Sequence, residues 1–268
     1  MDFLQLEKKC FLVFGVANKK SVAYAIGRNL EACGGRVLYA VRDRETRDKV
    51  ARLLPERPIL ACNVESEDDM EKLSSRVREH AEQLDGIVHS IAFANYSRGL
   101  QPFHQTAKKD FLQAVDVSCF SLIDMVGRLR DLLAPGAAVV TISISTTRMA
   151  ADNYGYMAPI KAALDSSVVF LANALGKERS IRVNAVGAGL LKTASSAGIP
   201  GYVDSYLFAE KTIPRGRSLE TREVADVATF LLSPRASGIN GQTVVVDAGM
   251  AGNFFDRKIV RATVADSG

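Results

Sequence analysis

Apolar runs and helix-period stretches alternate along nearly all of the 268 residues. Runs rich in Val, Ile and Leu predict strands at 10–14, 36–41, 58–62, 86–91, 137–144, 181–186 and 242–246. Between them, apolar positions at helical spacing predict helices at 22–33, 45–54, 66–84, 108–133, 159–175 and 221–232. Most of the strands are continuous apolar runs, the pattern of strands buried on both faces. Strand and helix in alternation predict an α/β, doubly wound, parallel seven-stranded sheet. No repeat and no Pro/Gly/Ser-rich linker divides residues 1–268, so a single domain is expected. The tail 253–268 fits no element and receives no role. Ligands of such sheets bind at the carboxyl ends of the strands, where the strand order switches.

Composition narrows this picture only slightly. An apolar fraction of 47% with 24% charged residues fits a globular core. A net charge of +4 without a long basic run gives no nucleic-acid footprint. The four cysteines, Cys10, Cys33, Cys62 and Cys119, are far apart in apolar segments. They read as free thiols in a reducing compartment, with no metal site. Charges within the first nine residues argue against a signal peptide, and no apolar run approaches a membrane span of roughly 20 residues. The expectation is a soluble cytoplasmic protein without membrane partners.

Candidate chemistry gathers at the predicted strand ends. The first strand runs into Gly15-Val16-Ala17-Asn18-Lys19-Lys20-Ser21-Val22-Ala23. Gly15 permits a tight turn, Ser21 is placed to cap the helix and meet a pyrophosphate, and Ala23 allows close packing. The full G-x-G-x-x-G pattern is absent, so an ordinary strand-to-helix loop stays open on this segment. After the second strand, Arg42 and Arg44 flank Asp43. An arginine suits a 2′-phosphate, so NADPH is favoured over NADH, with a solvated charged loop as the alternative. Asn63, with Val64 behind it, falls where an adenine would lie. His89-Ser90-Ile91-Ala92-Phe93-Ala94 offers small residues against which a cofactor would rest. His89, inside a strand, reads as a satisfied core histidine rather than an acid or base.

The stretch from Asn153 to Lys161 separates a phenol and an ammonium by seven residues. On one helix that spacing is about two turns, which would put Tyr154 and Lys161 on one face. Pro159 belongs in a first turn, so the helix starts near Met157 with Tyr154 on its approach. A phenol donates to a developing oxyanion, and a nearby lysine lowers its pKa and holds a ribose hydroxyl. Taken alone, the pair reads first as a buried aromatic and a solvated lysine.

Gly15-x5-Ser21-x-Ala23 and Tyr154-x2-Met157-x3-Lys161 occur together and in order. So do residues 182–185, 192–199, 238–241 and 246–249, beside 89–94. On these motifs, over roughly residues 6–252, the chain resembles the divergent short-chain dehydrogenases/reductases, whose best-known members are the bacterial enoyl-acyl carrier protein reductases. The resemblance implies a Rossmann-type fold and hydride transfer from NADH or NADPH to a trans-2-enoyl thioester in fatty acid biosynthesis. It implies catalytic roles for Tyr154 and Lys161. Cofactor contacts would come from Gly15, Ser21, Val22, Arg42, Asn63, Val64, Ser90, Ile91, Ala92, Lys161, Leu191 and Thr193. Substrate contacts would come from Phe93, Ala94, Ile144, Tyr154, Met157, Ser195, Tyr202 and Tyr206, with a mobile loop over about 192–210.

The sequence departs from the family at three places. Ile144 replaces a second active-site tyrosine, Ala92 a glycine, and Asn63 an aspartate. Ile144 also stands where ordinary short-chain dehydrogenases hold a serine, which argues against ketone reduction. Reduction of another enoyl or carbonyl substrate, or a non-catalytic cofactor-binding regulator, are the alternatives. An acyl carrier protein would dock on basic groups, with Lys192, Lys211, Arg215 and Arg217 as candidates. A homotetramer is implied, formed by the apolar helices at 108–133 and 159–175.

Overall fold

The structure, a computed structural model, describes residues 3–99, 101–150, 154–193, 196, 199, 201–253 and 256–265. Seven parallel strands form one sheet: β1 (Cys10–Phe14), β2 (Arg36–Val41), β3 (Ile59–Ala61), β4 (Leu84–His89), β5 (Leu133–Ile144), β6 (Arg182–Ala188) and β7 (Thr243–Val246). Their order is β3-β2-β1-β4-β5-β6-β7. The order reverses between β1 and β4, which pair from Phe11 with Gly86 to Phe14 with His89. A crevice opens there at the carboxyl ends of the strands.

Alternate strand residues feed two cores. Cys10, Leu12, Phe14, Leu38 and Ala40 face one, and Phe11, Val13, Val37, Tyr39 and Val41 face the other. The second core is covered by α1 (Val22–Ala32), α2 (Arg44–Ala51) and α9 (Thr221–Leu232). The first is covered by α3 (Glu67–Glu71), α4 (Leu73–Arg78), α5 (Lys108–Val115), α6 (Ser121–Leu129) and α7 (Met157–Arg179). Two further helices, α8 (Tyr202–Thr212) and α10 (Arg257–Ala265), lie beyond β6 in sequence.

Several predicted elements change. The helix expected over 66–84 divides into α3 and α4, and Leu84 opens β4 instead, where it is fully buried. The helix expected over 108–133 is interrupted by a π-helical turn at Asp116–Phe120. That turn aims Ser118 at residue 93: its Oγ accepts from the Phe93 N–H (2.9 Å) and donates to the Phe93 carbonyl (3.0 Å). Such turns often mark functional sites. α7 starts at Met157, as Pro159 predicted, and runs to Arg179. By length and composition alone α7 is long and apolar enough to cross a membrane, although no such run was expected from the sequence. Here it packs on β5 and β6 through Ile160, Leu164, Val168 and Leu175. The tail, given no element from sequence, forms α10. Asp256 starts it, its Oδ1 accepting from the N–H groups of Lys258 (2.8 Å) and Ile259 (3.2 Å).

Candidate active site

Gly15 leaves β1 with φ +100°, and a Cβ built there would lie 2.0 Å from the Ser90 carbonyl oxygen. Only glycine lets the turns after β1 and β4 approach this closely. Ser21 stands at the N-cap position of α1 but makes no capping bond. Its Oγ instead accepts from the Ala17 and Asn18 N–H groups, both at 3.0 Å. The expected cap is thus corrected: the loop's own donors reach the hydroxyl first. The first-turn N–H groups of α1 stay available to an anion, and the Ser21 proton is left to donate.

A cleft of about 470 Å³ lies over this turn. It is bordered by Gly15, Ser21 and Val22 from the first turn, and by Ser90, Ile91, Ala92, Phe93 and Ala94 after β4. Ile144, Tyr154, Met157 and Lys161 form the opposite side, with Leu191, Thr193 and Tyr202 at the end. Most of the predicted site residues therefore meet in one place. Arg42 and Asn63 do not: they line a separate polar cavity with Arg44, Arg47 and Arg76. Val64 is half-buried against the core. Tyr206 borders neither space and sits under the Lys192 ammonium, 6.0 Å from its ring centroid. Ser195 lies outside the described residues.

Tyr154 and Lys161 share the cleft without sharing a helix. Tyr154 lies in the turn before α7, and Tyr96 clamps that turn by donating its hydroxyl to the Tyr154 carbonyl (3.3 Å). Tyr156 adds a second tie through its hydroxyl to the Asn95 carbonyl (2.5 Å). Burial, with Tyr96 and Tyr202 nearby, raises the Tyr154 pKa above the usual phenol value. The lowering expected from Lys161 is thus overturned, because desolvation disfavours the phenolate. Lys161 is 3% exposed and donates to the Ile142 carbonyl at 2.8 Å. Burial lowers its pKa to about 8.

His89 is a core residue, as the sequence suggested. Its ring nitrogens lie 2.8 Å from Thr141 Oγ1 and 2.9 Å from Ser121 Oγ. Ser121 gives its own proton to the Val117 carbonyl (2.7 Å) and Thr141 to the His89 carbonyl (3.2 Å), so the ring is held between two hydroxyls that are themselves anchored to backbone. Burial, then the Lys161 charge, lowers the His89 pKa to about 3. Ser143 Oγ is buried without a hydrogen-bond partner among the described residues, and Ser143 borders the cleft. A buried hydroxyl of this kind calls for a polar ligand. Together with the α1 N-terminus and the close approach at Gly15, it fits a dinucleotide.

Around Asp43 the charges are paired off locally. Asp43 Oδ1 accepts from the Thr46 N–H (2.7 Å) and Oδ2 pairs with Arg42 Nε (2.9 Å). The Thr46 hydrogen bond holds its carboxyl at about 2. Asp43 is therefore the cap of α2, with both oxygens engaged.

A second space of about 490 Å³ opens on the far side of Tyr154. Ile144, Tyr154, Ala188, Gly189 and Tyr202 belong to both spaces. Met149, Phe208, Met250, Ile259 and Val260 give it an apolar wall that sequence reasoning missed. The signal was present: Asp256 followed by Ile259 and Val260 among charged residues is a capped amphipathic helix. Of the basic candidates, Arg215 pairs with Glu223 and Arg217 with Glu220 and Glu223.

A switch-point cleft holding a clamped tyrosine and a buried lysine places the chain in the short-chain dehydrogenase/reductase class. A family profile described as Enoyl-(Acyl carrier protein) reductase matches residues 15–251. The enoyl-[acyl-carrier-protein] reductase [NADH] of Nostoc sp. is 36% identical, over 92% of this chain and 97% of that protein. The enoyl-[acyl-carrier-protein] reductase [NADPH] of Staphylococcus aureus is 32% identical, over 92% and 98%. The crystal structure of FabI from Candidatus Liberibacter asiaticus superposes with a TM-score of 0.88 at 31% identity, covering 93% of this chain and 98% of that one. That of the Bacillus cereus enoyl-acyl carrier protein reductase with NADP+ and indole naphthyridinone gives 0.85 at 31% identity, over 91% and 96%. The chain belongs to the enoyl-(acyl carrier protein) reductase family.

Proposed function

We propose that this chain reduces the trans-2 double bond of enoyl thioesters borne by an acyl carrier protein, in fatty acid biosynthesis. The observation that carries this reading is the position of Tyr154, on the wall shared by the switch-point cleft and the apolar space. A thioester held there has its carbonyl at the phenol and its acyl chain in apolar surroundings. The reaction adds a hydride at the β-carbon, which a bound reduced nicotinamide would supply, and a proton from solvent at the α-carbon.

Each residue then has a defined task. Tyr154, kept a neutral phenol by burial, donates to the thioester oxygen as it becomes an enolate. Lys161, fixed by the Ile142 carbonyl, holds the nicotinamide ribose. Gly15, Ser21, Val22 and Thr193 surround the pyrophosphate. Ser90, Ile91, Ala92 and Leu191 pack beside the rings. Phe93, Ala94, Ile144, Met157 and Tyr202 enclose the reacting end of the substrate. Asn63 and Val64 flank the adenine.

Asp43 has both oxygens occupied and Arg42 lies beside it, which supports the 2′-phosphate of NADPH over the bare ribose of NADH. Lys192 and Lys211 are the better docking cations for an acidic carrier, since Arg215 and Arg217 already face carboxylates. The protein works in the cytoplasm as a homotetramer. Exposed Phe120, Ile123, Val169 and Phe170, the last 74% exposed, supply the apolar contact.

The test is loss of reduced-nicotinamide absorbance with crotonyl-CoA or an enoyl-acyl carrier protein, using NADH and NADPH in parallel. Turnover with NADPH preferred is expected. A preference for NADH sinks the Arg42 assignment, and no turnover with either cofactor sinks the reaction.

A further inference from the structure

We infer that the C-terminal helix α10 is the outer wall of the acyl chamber and sets the chain length the protein accepts. The inference rests on the thioester reading above. The apolar space behind Tyr154 shares Ile144, Tyr154, Ala188, Gly189 and Tyr202 with the cleft, so it adjoins the place where an acyl chain leaves the reacting carbons. Its far side is closed by Asp256, Ile259 and Val260. That side lies beyond residue 251, where the family match ends.

The helix is built to hold this position. Asn253 Nδ2 donates to the Thr212 carbonyl (2.7 Å), tying the start of the tail to the end of α8. Asp256 caps the first turn of α10. Arg257, Lys258 and Arg261 point to solvent, while Ile259 is half-buried toward the chamber. Across from it, Met149 is 48% and Phe208 57% exposed. Side chains of that size, uncovered on both walls of one recess, are matched by an apolar occupant. Each methylene buried there is worth roughly fourfold in affinity. A wall that shortens the recess by a few methylenes therefore changes selectivity by tenfold or more.

The experiment measures kcat/KM for trans-2-enoyl thioesters of four, eight, twelve and sixteen carbons, in the wild type, Ile259→Trp and Ile259→Ala. Saturated acyl-CoA affinities are measured by calorimetry over the same lengths. Ile259→Trp fills the recess, and the twelve-to-four-carbon ratio is expected to fall at least tenfold. Ile259→Ala is expected to move the optimum to longer chains, and it carries the test where the tryptophan variant does not fold. Ratios unchanged in a folded variant overturn the inference while the enoyl reductase reading stands. If the wild type turns over no enoyl thioester, that reading fails and the affinities decide. Tightening with length that disappears in Ile259→Trp upholds α10 as the wall, and an unaltered series removes it.

Discussion

The cleft on one side of Tyr154 and the chamber on the other are built in opposite ways. The cleft is assembled at strand ends, and its polar groups are fixed by the sheet. Lys161 is anchored to the Ile142 carbonyl of β5, and Gly15 is pressed against Ser90. The chamber is walled by the turn after β5 and by α8 and α10, with large apolar side chains left uncovered. Chemistry needs groups held to fractions of an ångström, so it sits where backbone hydrogen bonding leaves no freedom. Selectivity needs only volume and apolar surface, so it sits on helices that can vary at little cost to the fold.

The sharpest way to break this contrast is at the shared wall. Tyr154→Phe keeps the ring that both spaces pack against and removes only the donor. One preorganised donor is worth roughly 10²–10³ in rate. Steady-state kinetics should show kcat falling by that factor, with the affinity for the reduced cofactor unchanged in a fluorescence titration. A fully active phenylalanine variant would mean that the reaction does not use this hydroxyl.

Next in size is the close approach at the cleft floor. Gly15→Ala places a methyl on backbone at φ +100° and against the Ser90 carbonyl. Strain and overlap together should lower stability by roughly 2–4 kcal/mol. Urea denaturation reads that loss, and dinucleotide binding should weaken with it. A substitution at Phe208, 57% exposed on the chamber wall, should leave stability within about 0.5 kcal/mol. Equal losses at the two positions would erase the distinction between the regions.

The same contrast explains what the sequence made legible. β1, β2, β5 and β6 were readable because strands buried on both faces leave unbroken apolar runs. The turn at Gly15 and the start of α7 at Met157 were readable because Gly and Pro carry backbone rules. His89 was readable as core because it sits within such a run. Features set by three-dimensional competition were not. Ser21 looked like a helix cap, but the Ala17 and Asn18 donors reach its oxygen first. Lys161 looked able to acidify Tyr154, but burial dominates, and periodicity does not report how deep a phenol lies. In α10 the cap and the Ile259–Val260 pair signal a helix, but that Ile259 lines a chamber together with α8 is decided only by packing. The chemistry was legible because it follows backbone rules, whereas the chamber emerges only from packing.

Lys161 gives the smallest effect and the one whose sign is most informative. Burial lowers its pKa from 10.5 to about 8. Below about 8 it is charged in both folded and unfolded chains, and the folded state carries the whole desolvation penalty. Between about 8 and 10.5 the folded lysine is neutral while the unfolded one still binds a proton. Stability therefore rises with pH across that window. The charge offered to the cofactor is lost over the same range, so affinity moves the other way, by about tenfold between pH 7 and pH 9. Lys161→Met has no proton to lose and serves as the reference. Wild type minus variant should show cofactor affinity falling and denaturant midpoint rising together above pH 8. If both differences were flat with pH, Lys161 would keep its charge in the fold, and the hydrogen bond to Ile142 would outweigh its burial.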